Sequence, residues 1–202
     1  MTSTRDAILD GALHVLRTQG LARATTKEIA RAAGYSEPML YKLFGDKTGL
    51  LLCVLAERLP RVSVVTGGVS SLVGTGSLAG NLRRIVVEAT GFYRAVLPIG
   101  MSIFSDGDLL ARHRDAVRMR GTGPDIVRDG VRTYLAAEQE AGRIGTAAPI
   151  DAVAMALVGA AMHQAFLWCF DGDAVDPATQ DEASVDLFAA GVVAAVLPGL
   201  TP

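Results

Sequence analysis

The stretch from Thr25 to Leu50 leaves the backbone little freedom: two short amphipathic segments flank Gly34, and a third opens at Asp46. Thr25 and Glu28 have the spacing of a capping box, in which each side chain satisfies a backbone N–H at the other's position. Ile29 and Ala33 then share a helix face at i, i+4, and Gly34 suits the left-handed residue that closes a helix. Ser36 can cap the next helix, whose first turn tolerates Pro38 because N–H groups there have no intrahelical partner. Leu40 and Phe44 face inward, and Asp46 can cap a further helix. The spacing therefore predicts helix, glycine turn, helix, with another helix directly behind.

That arrangement sets a second helix into the major groove of DNA. The face opposite Leu40 and Phe44 carries Glu37, Met39, Lys42 and the rim of Tyr41. Small polar groups at the head of such a helix reach base edges, while hydroxyls and amines position the phosphate backbone. The expected DNA-binding residues are Thr25, Thr26, Lys27, Tyr35, Ser36, Glu37, Pro38, Met39, Tyr41, Lys42 and Lys47. Tyr41 can equally be a half-buried packing tyrosine. Glu37 repels phosphate, so it either accepts from a cytosine amine or faces water. Lys47, in a first helical turn, opposes the helix dipole, and a docked phosphate would remove that conflict.

Charge divides along the same line. Residues 1–60 hold eight Lys/Arg against six Asp/Glu, and residues 61–202 hold eleven against fifteen. A chain with net charge −2 is no general nucleic-acid glue, so DNA contact is confined to the first sixty residues, and two copies would add their basic faces.

Residues 5 to about 50 resemble the N-terminal domain of the tetracycline-repressor (TetR) family of transcriptional regulators. An opening helix, Arg5 to Gln19, turns Ile8, Leu9, Ala12, Leu13 and Leu16 inward and ends at Gly20. Thr25-Thr26, Ile29-Ala30, Ala33-Gly34, Ser36, Leu40-Tyr41, Phe44, Lys47 and Leu50 follow in the family's order and spacing. Leu43 stands where the family usually has a histidine, and Thr48-Gly49 replaces its usual acidic pair, so the helix after Asp46 is expected to start less firmly. The resemblance implies an all-α fold, with a helix-turn-helix DNA-binding domain over residues 1–60 and a helical effector-binding and dimerisation domain over 61–202. It also implies that the last two helices pair with those of a second subunit, with Gly159, Ala160, Leu167, Ala189, Val193 and Leu197 at the interface.

The remainder reads as helical throughout, with no period-2 strand pattern. A long helix from Asp46 to about Thr66 is expected to kink at Pro60. Residues 67–80, rich in Gly and Ser, read as a mobile connection. Helices are expected over 78–97, 106–119 and 124–141, with Pro98 and the turn from Gly121 to Pro124 as breaks. The apolar run 152–170 is long enough to span a membrane. It is alanine-heavy, holds His163 and Gln164 near its middle and has no basic flank, so a buried helix is expected and no membrane contact. A final helix covers 184–197.

A set of soft or aromatic side chains is distributed over these helices: Phe92, Tyr93, Met101, Phe104, Met119, Tyr134, Met155, Met162, Phe166 and Trp168. Each alone reads as core; together with His163 as a polar anchor, all but Trp168 would suit an apolar effector pocket. Three scattered histidines and no paired nucleophile and base exclude an enzyme. Cys53 and Cys169 have neither metal-ligand spacing nor a disulfide framework, and no cofactor is called for. The N-terminus lacks the apolar core of a signal peptide, which points to the cytoplasm. The expected protein is a homodimeric, ligand-responsive repressor of a near-palindromic operator. A small apolar effector would tilt the helix at Asp46 and change the spacing of two recognition helices that must sit about 34–36 Å apart. The rival reading is a helical ligand- or partner-binding protein that leaves DNA alone.

Overall fold

The computed structural model describes residues 3–21, 23–59, 71–121, 123–172 and 182–200. These residues form helices α1 (Thr4–Gln19), α2 (Thr26–Ala33), α3 (Glu37–Phe44), α4 (Lys47–Glu57), α5 (Leu78–Ile103), α6 (Gly107–Met119), α7 (Ile126–Glu140), α8 (Ile150–Asp171) and α9 (Glu182–Val196), then one 3-10 turn, Leu197–Gly199. No strand occurs among them. The chain divides into two compact units, one of residues 1–60 with 95–121, the other of 61–94 with 122–202. The split differs from a single cut at residue 60, because the end of α5 and all of α6 group with the N-terminal helices.

In the first unit, Ser3 caps α1 by accepting the Asp6 N–H at 3.1 Å. Ile8, Leu9, Ala12, Val15 and Leu16 of α1 meet Ile29, Ala30, Leu40, Leu50, Leu51 and Val54 in one core, which Ile99, Ile103 and Leu109 complete. Gly11 lets α1 and α2 cross closely: a Cβ there would lie 2.9 Å from that of Ala33. The helix after Asp46 ends at Glu57, before Pro60, and the rest of the long helix expected from the sequence falls outside the described residues.

Two further expectations are overturned. Pro98 does not break α5, although it has no N–H for the Arg94 carbonyl. Burial of Leu82, Ile85, Val86 and Ala89 before it, and of Ile99 and Ile103 after it, holds the helix across the missing bond. The Cys169 thiol, 3.9 Å from the Arg94 oxygen, takes the place of the absent donor. The second concerns the Gly/Ser-rich connection expected over 67–80: residues 67–70 lie outside the described residues, 71–77 are tied by hydrogen bonds, and 78–80 open α5. The Asn81 amide donates to the carbonyls of Leu72 (3.1 Å) and Thr75 (2.9 Å). The Gly74 N–H donates to Glu138, and Arg143 reaches the carbonyls of Thr75 and Gly76. Glu138, fully buried on α7, also accepts the Tyr134 hydroxyl at 2.6 Å, and its carboxylate lies 3.3 Å from the Arg143 guanidinium.

α8 and α9 each bury one side within the second unit: Val153, Ala154, Leu157, Val158, Ala161 and Ala165 on α8, and Val185, Ala189 and Val193 on α9. Their other sides are apolar and exposed, with Met155, Met162, Phe166 and Phe170 along α8 and Leu187 on α9. By length and composition both would pass as membrane-crossing segments.

Candidate nucleic-acid interface

The helix-turn-helix is built from local signals that work mostly as the residues suggest. Thr25 Oγ1 accepts the Glu28 N–H at 3.1 Å. The reciprocal half of the capping box is absent, because the Glu28 carboxylate turns to Arg31 at 2.6 Å and the Thr25 N–H donates to the Arg23 carbonyl. Gly34 is left-handed (φ 75°, ψ 26°) and closes α2, with the Tyr35 N–H donating to the Ala30 carbonyl at 3.0 Å. Ser36 occupies the N-cap position of α3 without a side-chain cap bond. Asp46 caps α4 by accepting the Gly49 N–H at 2.6 Å. α4 thus has its N-cap without the acidic pair, and Gly49 admits the chain before it closely: a Cβ there would sit 2.3 Å from the Phe44 carbonyl oxygen.

On α3, Leu40 is buried and Phe44 packs against the same core, with the Arg5 guanidinium 5.6 Å above its ring. Met39 is half-buried and packs on the core. It lies on the flank of the Leu40–Phe44 stripe, and its flexible thioether folds underneath. The outward face comprises Tyr35, Ser36, Pro38, Tyr41, Lys42 and Leu43, with Tyr41 48 % exposed. Exposed Thr25 and Lys27 and half-buried Thr26 border it from α2, and half-buried Lys47 from α4. Glu37 does not simply face water. The Thr26 hydroxyl donates to its Oε1, and the Tyr41 hydroxyl lies 3.5 Å from that of Thr26.

Acids of residues 1–60 are neutralised by long-range pairs that the sequence does not announce. Asp6 and Asp10 both meet Arg58 (2.5 and 2.7 Å), Glu57 meets Arg5 (2.6 Å), and Asp46 meets Arg112 of α6 (2.9 Å). Hydrogen bonds from Ser3 and Arg58 hold the Asp6 carboxyl below the usual range, and Arg5 does the same for Glu57. The Gly49 N–H, then Arg112, depress Asp46. With Glu28 on Arg31, five of the six acids in residues 1–60 are matched to arginines. Lys27, Lys42 and Lys47, the only lysines of the chain, have no ion-pair partner among the described residues. Their confinement to this segment was a sequence signal that composition by halves overlooks.

The residues expected to form an effector pocket are divided between the two units. Met101, Phe104 and Met119 belong to the first unit and are more than half exposed. Tyr93 and Tyr134 are buried, burial raises the pKa of both phenols, and the Tyr134 hydroxyl is occupied by Glu138 and Asn81. Phe92 stacks edge-on against Tyr93 at 5.2 Å. Met155, Met162, His163 and Phe166 lie on the outer side of α8, because its inner side is filled by Val and Ala. A groove lined by Arg128, Asp129, Arg132, Thr133, Asp151, Ala154 and Met155 takes only Met155 from the set. Of the expected interface residues, Gly159, Ala160 and Leu197 are half-buried and Leu167 is exposed. Ala189 and Val193 are buried inside the chain, on the side of α9 opposite Leu187. Among the described residues no group of three or more His, Cys, Asp or Glu is placed to hold a metal.

Residues 8–54 match the family described as bacterial regulatory proteins, tetR family. The HTH-type transcriptional regulator SrpR of Pseudomonas putida is 44 % identical over 55 residues, 27 % of this chain and 26 % of that protein. The match thus spans between about a quarter and two fifths of the length of the curated relatives. Over the whole chain the fold is similar to a TetR-family transcriptional regulator from Mesorhizobium loti (TM-score 0.74, 19 % identity, 98 % of this chain and 97 % of that one). It is also similar to the regulator FadR from Bacillus subtilis in complex with stearoyl-CoA (TM-score 0.66, 12 % identity, 96 % and 98 %).

Proposed function

We propose, for a chain whose residues 8–54 belong to the tetR family of bacterial regulatory proteins, that it is a DNA-binding transcriptional regulator and not an enzyme. One observation carries the reading. Around the exposed face of α3 the lysines are free of carboxylate partners among the described residues, while five of the six acids of residues 1–60 are held by arginines. A surface so arranged offers unspent positive charge to phosphates and polar tips to base edges. α3 lies in the major groove, Lys27, Lys42 and Lys47 contact phosphate, and Tyr35, Ser36, Pro38 and Tyr41 line the groove floor and its edge.

We assign the exposed side of α8 and α9 to a second copy of the chain. Met155, Met162, Phe166 and Phe170 recur at spacings of seven and four, which places them on one helix face that water would otherwise cover. Phe170 and Leu187 are 78 % and 75 % exposed. A symmetric mate buries this face and presents two α3 helices to two half-sites. We place the dimer in the cytoplasm with its DNA, acting as a repressor released by a largely apolar small molecule held in the second unit. The acyl chain that the Bacillus subtilis fold neighbour is described with is the kind of ligand to try first.

The test is a gel shift on duplexes flanking the protein's own coding region, followed by a salt titration. Specific binding should weaken with salt. Lys47→Ala should reduce the slope of log K against log salt by about 0.9 for each phosphate no longer neutralised. Binding no tighter than to random duplex, or an unchanged slope in the variant, refutes the roles assigned to α3 and Lys47.

A further inference from the structure

Five acids of residues 1–60 are neutralised by arginines; the sixth, Glu37, has only a hydroxyl. It stands in the first turn of α3, on the segment whose neighbours Tyr35, Ser36 and Pro38 are all exposed. A lone carboxylate at that place repels phosphate, and no arginine is paired with it among the described residues. The Thr26 hydroxyl has a single proton, and it is donated to Glu37 Oε1. That bond fixes the carboxylate across eleven residues of chain, while Oε2 has no hydrogen-bond partner among the described residues. An acceptor held in a fixed direction at the head of a groove-entering helix is a base reader for a donor, and the donor that cytosine presents in the major groove is its N4 amine.

Resting on the DNA-binding reading above, we infer that Glu37 is a specificity-determining residue that accepts from a cytosine N4 amine in each half-site, with Thr26 as its positioning residue. The Thr26 proton is then spent on Glu37 and is not offered to phosphate. Tyr41, 3.5 Å from the same hydroxyl, flanks the pair from the next turn.

Selection from random duplexes with the full-length protein decides the matter. The wild-type protein should enrich a C·G pair at one symmetric position in each half-site. Glu37→Gln, which keeps the shape but adds an amide donor, should change that position to A·T and leave the rest of the site intact. Against a site altered only at that pair, the wild-type preference should be on the order of five- to fifty-fold and should shrink in Glu37→Gln. Thr26→Val should flatten the preference at that pair with little change in salt slope, and Thr26→Ser should restore it. Circular dichroism should show all three variants as helical as the parent. If Glu37→Gln selects the same base as wild type at every position, the inference fails while DNA binding stands. If the wild-type protein enriches no sequence at all, the inference and the reading beneath it fall together.

Discussion

α2 and α3 are eight residues each, whereas α8 is twenty-two, and the two regions stay helical for different reasons. A helix of two turns has little propagation to offset its nucleation cost, so it needs support beyond its own length. α2 has the Thr25 cap and left-handed Gly34, while α3, whose Ser36 makes no side-chain cap bond, leans on Leu40 and Phe44 in the core. α8 starts at Pro149 and α7 at Asp125 with no side-chain cap bond, and both persist because one side is packed. Charge follows the same division. The first unit matches acids to arginines over long sequence separations and leaves lysines over. In the second, Arg83 pairs with Asp186 and Arg132 with Asp151, and an apolar side of α8 and α9 is left uncovered. The lysines around α3 leave a surface whose unsatisfied character is electrostatic, and α8 and α9 leave one that is hydrophobic, which suits two different partners.

The sharpest way to break that contrast is to put a charge on the apolar side. Leu187 lies outside the core of its own chain, so Leu187→Asp should leave the subunit folded. Each copy should lose about 1.5–3 kcal/mol of apolar burial, about 3–6 kcal/mol per symmetric dimer. Sedimentation should show a shift toward monomer with helicity unchanged. A dimer of undiminished stability would mean that the second copy docks elsewhere. Next in size is Glu138→Ala, which takes the acceptor from the Tyr134 hydroxyl proton and the Gly74 N–H and leaves Arg143 without its carboxylate. Removing one member of a buried charged network costs about 3–5 kcal/mol, read as a lower midpoint in urea. A change under about 1 kcal/mol would show that residues 71–77 are held by something else.

These two cases also show how far the sequence could be read. Caps and turn glycines act within a few residues, so the helix-turn-helix was legible to within a residue or two, from Thr25 through Gly34 to Asp46. What joins distant residues was not. The pairs Arg112–Asp46 and Thr26–Glu37, and the cluster of Asn81, Tyr134 and Glu138, have no periodicity to betray them. The second region misled in a specific way. A Met or Phe reads as apolar whether it faces a pocket, a core or a second copy, so Met155, Met162 and Phe166 were gathered with Tyr134, which they do not join. α8 is apolar nearly all round, and such a helix carries no sequence mark of which side its own chain will use. The resemblance that implies an interface at Ala189 and Val193 says nothing of which side of α9 its own chain fills, and the chain buries both. Pro98 failed as a break because propensity yields to packing on both sides of it.

The smallest predicted effect lies where cap and charge meet, at Asp46. Its carboxylate accepts the Gly49 N–H and faces Arg112, and both interactions favour the ionised form, Gly49 first. The folded-state pKa is therefore below the unfolded one. Stability from this group is present above the ordinary carboxylate range near pH 3.9 and is lost as pH falls through the lower folded value. Asp46→Ala should cost about 1 kcal/mol at pH 7, the usual worth of an N-cap. Asp46→Asn keeps an acceptor for Gly49 but loses the charge toward Arg112, and should cost less. Urea unfolding at pH 7 and at pH 3 distinguishes the contributions: the gap between Asp46→Ala and wild type should narrow in acid as the native carboxylate begins to protonate. A gap independent of pH would make the cap a matter of shape alone and would leave Arg112 with no part in how α4 begins.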